Sequence, residues 1–171
     1  MRLFIAINFN KVTRARLLAL RNELQSQSKR GRFSALENLH LTLVFLGECD
    51  AKQADAAKTA MDAAVFAPFY VSIERVGRFR RDGGDIWWAG IRADKSLLDL
   101  QSSLTEMLAE SGFSTEKRKY SPHITLGREV VTDAEPWQIE AFGETVQRIE
   151  LMKSERINEK LTYTKIFECG C

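Results

Sequence analysis

Leu39-His40-Leu41-Thr42-Leu43-Val44-Phe45-Leu46, closed by Gly47, is the stretch that decides the fold. Apart from one histidine and one threonine it is apolar and β-prone, so it reads as a strand. Side chains alternate along a strand, and residues i and i+2 share a face. His40 and Thr42 therefore point one way, and Leu41 and Leu43 point the other way, into a core. The tetrad returns 83 residues later (123 − 40) as His123-Ile124-Thr125-Leu126, inside a second apolar run over 123–128. These two copies hold both histidines of the chain.

The surroundings of the two strands echo each other. Residues 3–7 read as a buried strand, and Leu17, Leu20 and Leu24 stripe an amphipathic helix after it. Beyond the 39–46 strand, Asp50 with Gln53 marks a helix start. Ala54, Ala57, Met61 and Val65 continue that helix at core-facing spacing, and 69–79 reads as a strand. In the second half 85–91 is a strand, and Leu97, Leu100, Leu104 and Met107 stripe a helix that Gly112 stops. After the 123–128 strand, Thr132 with Glu135 predicts a short helix before strands over 145–152 and 161–167. Asp82-Gly83-Gly84-Asp85, between the halves, has the composition of a hairpin turn; no phosphate-binding glycine motif accompanies it. The expectation is one α+β domain over 1–171. Two pseudo-symmetric lobes of antiparallel sheet, residues 1–81 and 82–171, would carry helices on their outer faces and share a central cleft.

With 171 residues, 44% of them hydrophobic, the chain is long enough to bury a core without a disulfide or metal staple. A net charge of +2 excludes nonspecific coating of long nucleic acid but neither admits nor excludes a single anionic ligand. Any polyanion would have to meet local clusters: Lys29-Arg30-Gly31-Arg32, Arg78-Phe79-Arg80-Arg81 or Lys117-Arg118-Lys119. Each of these reads equally well as solvated loop charge. Three cysteines at irregular spacing, Cys49, Cys169 and Cys171, are no disulfide framework. The opening apolar run is too short for a signal peptide and no run is long enough to span a bilayer, so a monomer in the cytoplasm, away from membranes, is expected.

A lone histidine on such a strand is more often a satisfied core residue than a functional one. Two matched histidines, each followed two residues later by a hydroxyl, point to chemistry instead. Imidazole titrates near ~6.5, so one ring can be neutral and the other protonated. That suits a general base and a general acid on opposite sides of a phosphorus atom. Thr42 and Thr125 can donate to non-bridging oxygens, and Arg128, five residues after His123, can add charge beside them. A metal site is the rival, yet two histidines fall short of the three protein ligands of a catalytic zinc, and no H-E-x-x-H or C-x-x-C is present. No G-x-S-x-G elbow supports a serine nucleophile.

The paired tetrads resemble those of the two-histidine (2H) phosphoesterases. Arg2-Leu3-Phe4-Ile5-Ala6-Ile7, Asn38-Leu39-His40-Leu41-Thr42-Leu43-Val44-Phe45-Leu46-Gly47 and Pro122-His123-Ile124-Thr125-Leu126-Gly127-Arg128 resemble one branch of them, the RNA 2',3'-cyclic phosphodiesterases once called 2'-5' RNA ligases. The resemblance implies hydrolysis of a terminal 2',3'-cyclic phosphate to a 2'-phosphomonoester with no cofactor or metal, on RNA ends or related nucleotides. It implies His40 as proton donor, His123 as proton acceptor, and Thr42, Thr125 and Arg128 as the phosphate-binding residues; from the residues alone the two histidines are interchangeable. It also implies a reverse 2'-5' ligation. Alternatives are a phosphodiesterase of small cyclic nucleotides or 2'-5' oligonucleotides, and a noncatalytic RNA-end binding module. Trp87 and Trp88 are strand neighbours facing opposite ways. The outward one, taken as Trp88, or Phe4 is a candidate to stack on a base; the plainer reading makes all three core.

Overall fold

The computed structural model describes residues 1–171, and local chemistry sets most of its element boundaries. β1 (Arg2–Asn8) is followed by α1 (Lys11–Ser26), where the Asn10 side chain caps the helix by accepting from the Thr13 amide at 2.9 Å. β2 (Ser28–Phe33), a 3-10 turn (Leu36–Asn38) and β3 (His40–Glu48) come next. α2 (Ala51–Ala63) opens on the expected capping box, with Asp50 accepting from Gln53 N at 2.7 Å and Gln53 accepting from Asp50 N at 2.9 Å. β4 (Phe69–Phe79) and β5 (Asp85–Ile91) form the expected hairpin, whose turn places Gly83 and Gly84 at φ 81° and 133°. α3 (Lys95–Glu110) ends before Gly112 at φ 94°. Four strands complete the chain: β6 (His123–Thr132), β7 (Trp137–Val146), β8 (Arg148–Ile157) and β9 (Lys160–Gly170).

Two antiparallel sheets result, ordered β3-β1-β8-β9 and β2-β6-β5-β4-β7. Their helix-side faces share one core, which includes Leu41 and Leu43 of β3, Ile124 and Leu126 of β6, and the leucine stripes of α1 and α3. β3 also touches β6 across the two sheets. The faces carrying His40 and Thr42 on one sheet, and His123 and Thr125 on the other, therefore look into a common cleft.

Several expectations require correction. The lobes are not the sequence halves 1–81 and 82–171: each sheet takes strands from both, with β8 and β9 joining β1 and β3, and β2 and β4 joining β5 to β7. No helix forms at Thr132 to Glu135. Pro136 disfavours helical backbone at the preceding residue, and the Thr132 hydroxyl closes the end of β6 by donating to Gln27 O at 2.7 Å. The expected strand over 145–152 is the end of β7 and the start of β8, because the chain crosses between sheets at Gln147. Val65 lies beyond α2 and is 87% exposed. β2, read only as a basic cluster, is an edge strand whose charged residues leave no apolar alternation to detect.

Candidate active site

Each histidine begins its strand, and each ring is oriented by the backbone two residues earlier. His40 Nδ1 lies 2.7 Å from Asn38 O, and His123 Nδ1 lies 2.6 Å from Ser121 O. A carbonyl can only accept, so Nδ1 carries the hydrogen in both rings and Nε2 is left with the lone pair. Here the two sites diverge. His40 Nε2 accepts from the Thr42 hydroxyl at 2.8 Å, whereas Thr125 makes no side-chain bond to His123.

Packing holds the rings as firmly as the hydrogen bonds do. His40 sits against Phe4 (ring centroids 4.9 Å apart) and the edge of Tyr163 (5.2 Å). His123 sits against the edge of Phe79 (5.2 Å) and against Trp88 (6.2 Å). Burial pushes the His40 imidazole down to about 4; Arg128 and His123 add to this, while the bond to Asn38 opposes it. His123 is also lowered, first by burial and then by Arg128, against the bond to Ser121. The Arg128 charge that suits a phosphate thus also adds to the burial that lowers both rings.

A register slip follows each tetrad and re-aims the residue five positions after the histidine. Between β1 and β3, Ala6 pairs with Thr42 and Ile5 with Val44, leaving Leu43 as the extra residue. Val44 turns to the core and Phe45 to the cleft. Between β5 and β6, Trp88 pairs with Thr125 but Trp87 with Gly127, so Arg128 comes up beside Thr125. A second slip at Glu129, with φ 53°, returns Val130 to the core. Simple alternation would have turned both Phe45 and Arg128 away from the histidines.

The cleft has two chambers. One, of about 880 Å³, is lined by His40, Phe4, Tyr163, Arg2, Arg32, Arg156 and Lys160 among others. The other, of about 530 Å³, lies on the His123 side and is lined by Phe79, Arg81, Arg118, Lys119 and Tyr120. They meet at Thr42, Phe45, Glu116, His123, Thr125 and Arg128. Two hydroxyls fix the backbone at the junction: Tyr120 donates to Thr42 O at 2.8 Å, and Ser34 donates to Thr125 O at 2.9 Å. No three His, Cys, Asp or Glu side chains cluster as a metal-ligand group.

Known proteins share the sequence pattern and the fold of this chain. The sequence model of the 2'-5' RNA ligase superfamily matches residues 9–158. The chain belongs to that superfamily. It is 30% identical over 167 residues to the RNA 2',3'-cyclic phosphodiesterase of Archaeoglobus fulgidus, with 94% of each chain covered. It is 32% identical over 129 residues to the enzyme of the same name in Escherichia coli K12, covering 75% of this chain and 72% of that one. Among solved structures, E. coli LigT complexed with 3'-AMP superposes at a TM-score of 0.85, with 25% identity and 99% and 97% of the two chains covered. A protein of Thermus thermophilus superposes at 0.86, with 25% identity and the same coverage.

Within this superfamily member, five of the sequence-derived site residues, His40, Thr42, His123, Thr125 and Arg128, line one cleft. The two base-stacking candidates are placed differently from each other. Phe4 lines the larger chamber but is only 4% exposed, packed against His40 and Tyr163. Trp88 does share the face of His123, while Trp87 is buried in the core, but Trp88 lines neither chamber. Its indole lies over Gly77, where a Cβ would run into the ring, with the Arg75 guanidinium 5.5 Å from its centroid. The two aromatics brace the two histidines. Phe45, Tyr120 and Tyr163 went unrecognised. Phe45 is 52% exposed at the junction with Arg2 5.1 Å from its ring. The unbroken apolar run Leu43-Val44-Phe45-Leu46 leaves no signal for it, because the slip that turns Phe45 is a pairing event between strands.

Proposed function

We propose that this chain is an RNA 2',3'-cyclic phosphodiesterase that opens terminal cyclic phosphates by two-histidine acid/base catalysis without a metal. The observation that carries the reading is the matched pair of Nδ1-anchored imidazoles, His40 and His123, each with a threonine hydroxyl beside it and with Arg128 turned into the same cleft. His123 Nε2 takes a proton from water as the water oxygen bonds to phosphorus. The bond from phosphorus to O3' breaks, and the protonated Nε2 of His40 gives its proton to that oxygen. The product is a 2'-phosphomonoester with a free 3'-hydroxyl. Thr42, Thr125 and Arg128 hold the non-bridging oxygens as charge builds on them.

His40 must carry a proton to serve as the acid, although burial and Arg128 hold it neutral in the free protein. The substrate phosphodiester is itself an anion; it offsets the Arg128 charge and attracts a proton to His40, which acts against the larger effect of burial. Thr42, which donates to His40 Nε2 in the free protein, is then released to turn its hydroxyl toward the phosphate. Phe45, the more exposed of the two phenylalanines lining the larger chamber, stacks on the base. In this reading the enzyme acts as a monomer in the cytoplasm, where its free thiols Cys49, Cys169 and Cys171 suit a reducing compartment.

The test is turnover of an oligoribonucleotide ending in a 2',3'-cyclic phosphate, in EDTA, by the wild type and by His40→Ala and His123→Ala. Formation of a 2'-phosphate by the wild type alone is expected. Activity that chelator abolishes but both substitutions spare overturns the reading. A 3'-phosphate product overturns the assignment of the leaving oxygen.

A further inference from the structure

The larger chamber, of about 880 Å³, lies on the His40 side and has the size of a small-ligand pocket. The leaving O3' and the ribose that carries it belong on that side, so the base of the reacting nucleotide lies there too. Four arginines and one lysine line this chamber, and the protein itself engages three of them. Arg32 pairs with Glu129 at 2.6 Å, Lys160 pairs with Glu37 at 2.9 Å, and Arg156 donates to Glu159 O at 3.1 Å. Arg128 holds the phosphate. Arg2 is left over. It is exposed, it has no ion pair and no side-chain hydrogen bond, and its guanidinium lies 5.1 Å from the centroid of the Phe45 ring.

Strand register builds a polar row around Arg2. Arg2 of β1 pairs with Ser154 of β8, and Ser154 pairs with Tyr163 of β9, so the three side chains share one face of the sheet. All three line the chamber, and neither hydroxyl is bonded within the protein. The row presents a guanidinium fork that can only donate and two hydroxyls that can donate, next to the ring on which the base stacks. An unstacked base is read along its edges. Guanine carries two adjacent acceptors, O6 and N7, on one edge, and an arginine fork bonds both. Adenine sets an amine donor where guanine has O6, cytosine also presents an amine, and uracil has no N7. We propose that Arg2, backed by the Ser154 and Tyr163 hydroxyls, reads the base of the reacting nucleotide and selects guanine at the cyclic-phosphate end. This inference rests on the phosphodiesterase reading, with Phe45 as the stacking surface, and names which substrate end the site prefers.

Steady-state kinetics of the four mononucleoside 2',3'-cyclic phosphates, with the wild type and Arg2→Met, test it. Methionine keeps an unbranched side chain against Phe45 without the fork, and Arg2 is exposed, so the variant is expected to melt with the wild type. In the wild type, kcat/KM for guanosine 2',3'-cyclic phosphate is expected to exceed that for each of the other three by about 5- to 150-fold, and in Arg2→Met that ratio is expected to fall to about one. Equal rates on all four in the wild type, preference for another base, or a guanine ratio unchanged in Arg2→Met overturns the base assignment and leaves the chemistry standing. A uniform loss on all four substrates leaves the ratio unchanged and counts against the assignment in the same way. Calorimetric titration of guanosine 2'-phosphate and adenosine 2'-phosphate gives a second reading that needs no turnover: tighter binding of the guanosine product, by a similar factor and in the wild type only, is expected. If the wild type turns over none of the four, the phosphodiesterase reading fails, and the calorimetric ratio decides the base assignment alone, equal affinities overturning it.

Discussion

The two copies of His-x-Thr-Leu are nearly identical in sequence and similarly built, yet they are different instruments. In each, Nδ1 is tied to the carbonyl two residues back, an aromatic braces the ring, and a register slip turns the fifth residue into the cleft. In the first copy that fifth residue is Phe45; in the second it is Arg128. His40 is enclosed by Phe4 and Tyr163 and bonded at both nitrogens, while His123 keeps its Nε2 unbonded at the junction of both chambers. A duplicated motif thus supplies two imidazoles, and the unmatched neighbours supply the difference in what each can do.

The largest expected effect separates acid from base. His40→Ala and His123→Ala should each lower kcat on a cyclic phosphate by about 10²–10⁴-fold. They should part company on an activated phosphodiester whose leaving group needs no proton. On that substrate His40→Ala is expected to recover most of its rate and His123→Ala is not. Equal recovery would reverse or erase the assignment.

Arg128→Met attacks the comparison from the side of charge. Loss of a donor aimed at the developing oxyanion is expected to cost about 10²–10³-fold in kcat. Arg128 lowers both imidazoles, so its removal should raise both, and the pH profile of kcat/KM should move in the alkaline direction. Titration of the two histidine C–H signals by NMR checks this, and an acid shift would contradict the electrostatic account.

The enclosure of His40 has a consequence for stability. Its folded value of about 4 lies below the ordinary imidazole value near 6.5. The unfolded chain therefore takes up the proton first as pH falls. The stability in question is complete above ~6.5 and is lost down to about 4, a decline on the order of 3 kcal/mol at full extent. Urea titrations across this window should show the decline in the wild type and a much flatter dependence in His40→Gln. An unchanged slope in that variant would assign the acid lability elsewhere.

How far these features were legible from sequence depends on what signal each leaves. Alternation around His40 and His123 marks the cleft face directly, and Asp50 with Gln53 writes its capping box in side-chain chemistry. The bulges at Leu43 and at Leu126-Gly127 are pairing events between strands, so Phe45 could not be assigned to the cleft by counting along one strand. Arg128 was reached by its proximity and charge, although strict alternation placed it on the wrong face. The lobes were misdrawn because a repeat in order is not a partition in space: β8 hydrogen-bonds to β1, and that choice is made by tertiary packing. Phe4 and Trp88 illustrate the same limit, since an aromatic beside a catalytic strand serves equally as a brace or as a stacking platform until its neighbours are known.

Phe45→Ala tests whether the non-matching fifth residue of the first copy belongs to binding. Stacking on an exposed aromatic is worth ~1–3 kcal/mol, so KM for an RNA end should rise by about 5- to 150-fold with kcat nearly unchanged. A fall in kcat of similar size would instead make Phe45 part of the phosphate-holding geometry.

The smallest effect addresses what joins the two copies. The Tyr120 hydroxyl, three residues before His123, donates to the carbonyl of Thr42 and so ties the lead-in of one tetrad to the backbone of the other. Tyr120→Phe removes one neutral hydrogen bond, a change of about 0.5–1.5 kcal/mol in stability by denaturant titration. If the bond only stabilises the fold, kcat at full folding should be untouched. If it sets the separation of the two imidazoles, kcat should fall about tenfold with KM for a mononucleotide unchanged, because misplacement of acid relative to base lowers transition-state stabilisation and leaves ground-state binding intact. The second outcome is expected, since Tyr120 bonds from one tetrad's flank to the other's strand, as Ser34 does in the reverse direction, and both rings must reach a single phosphorus atom.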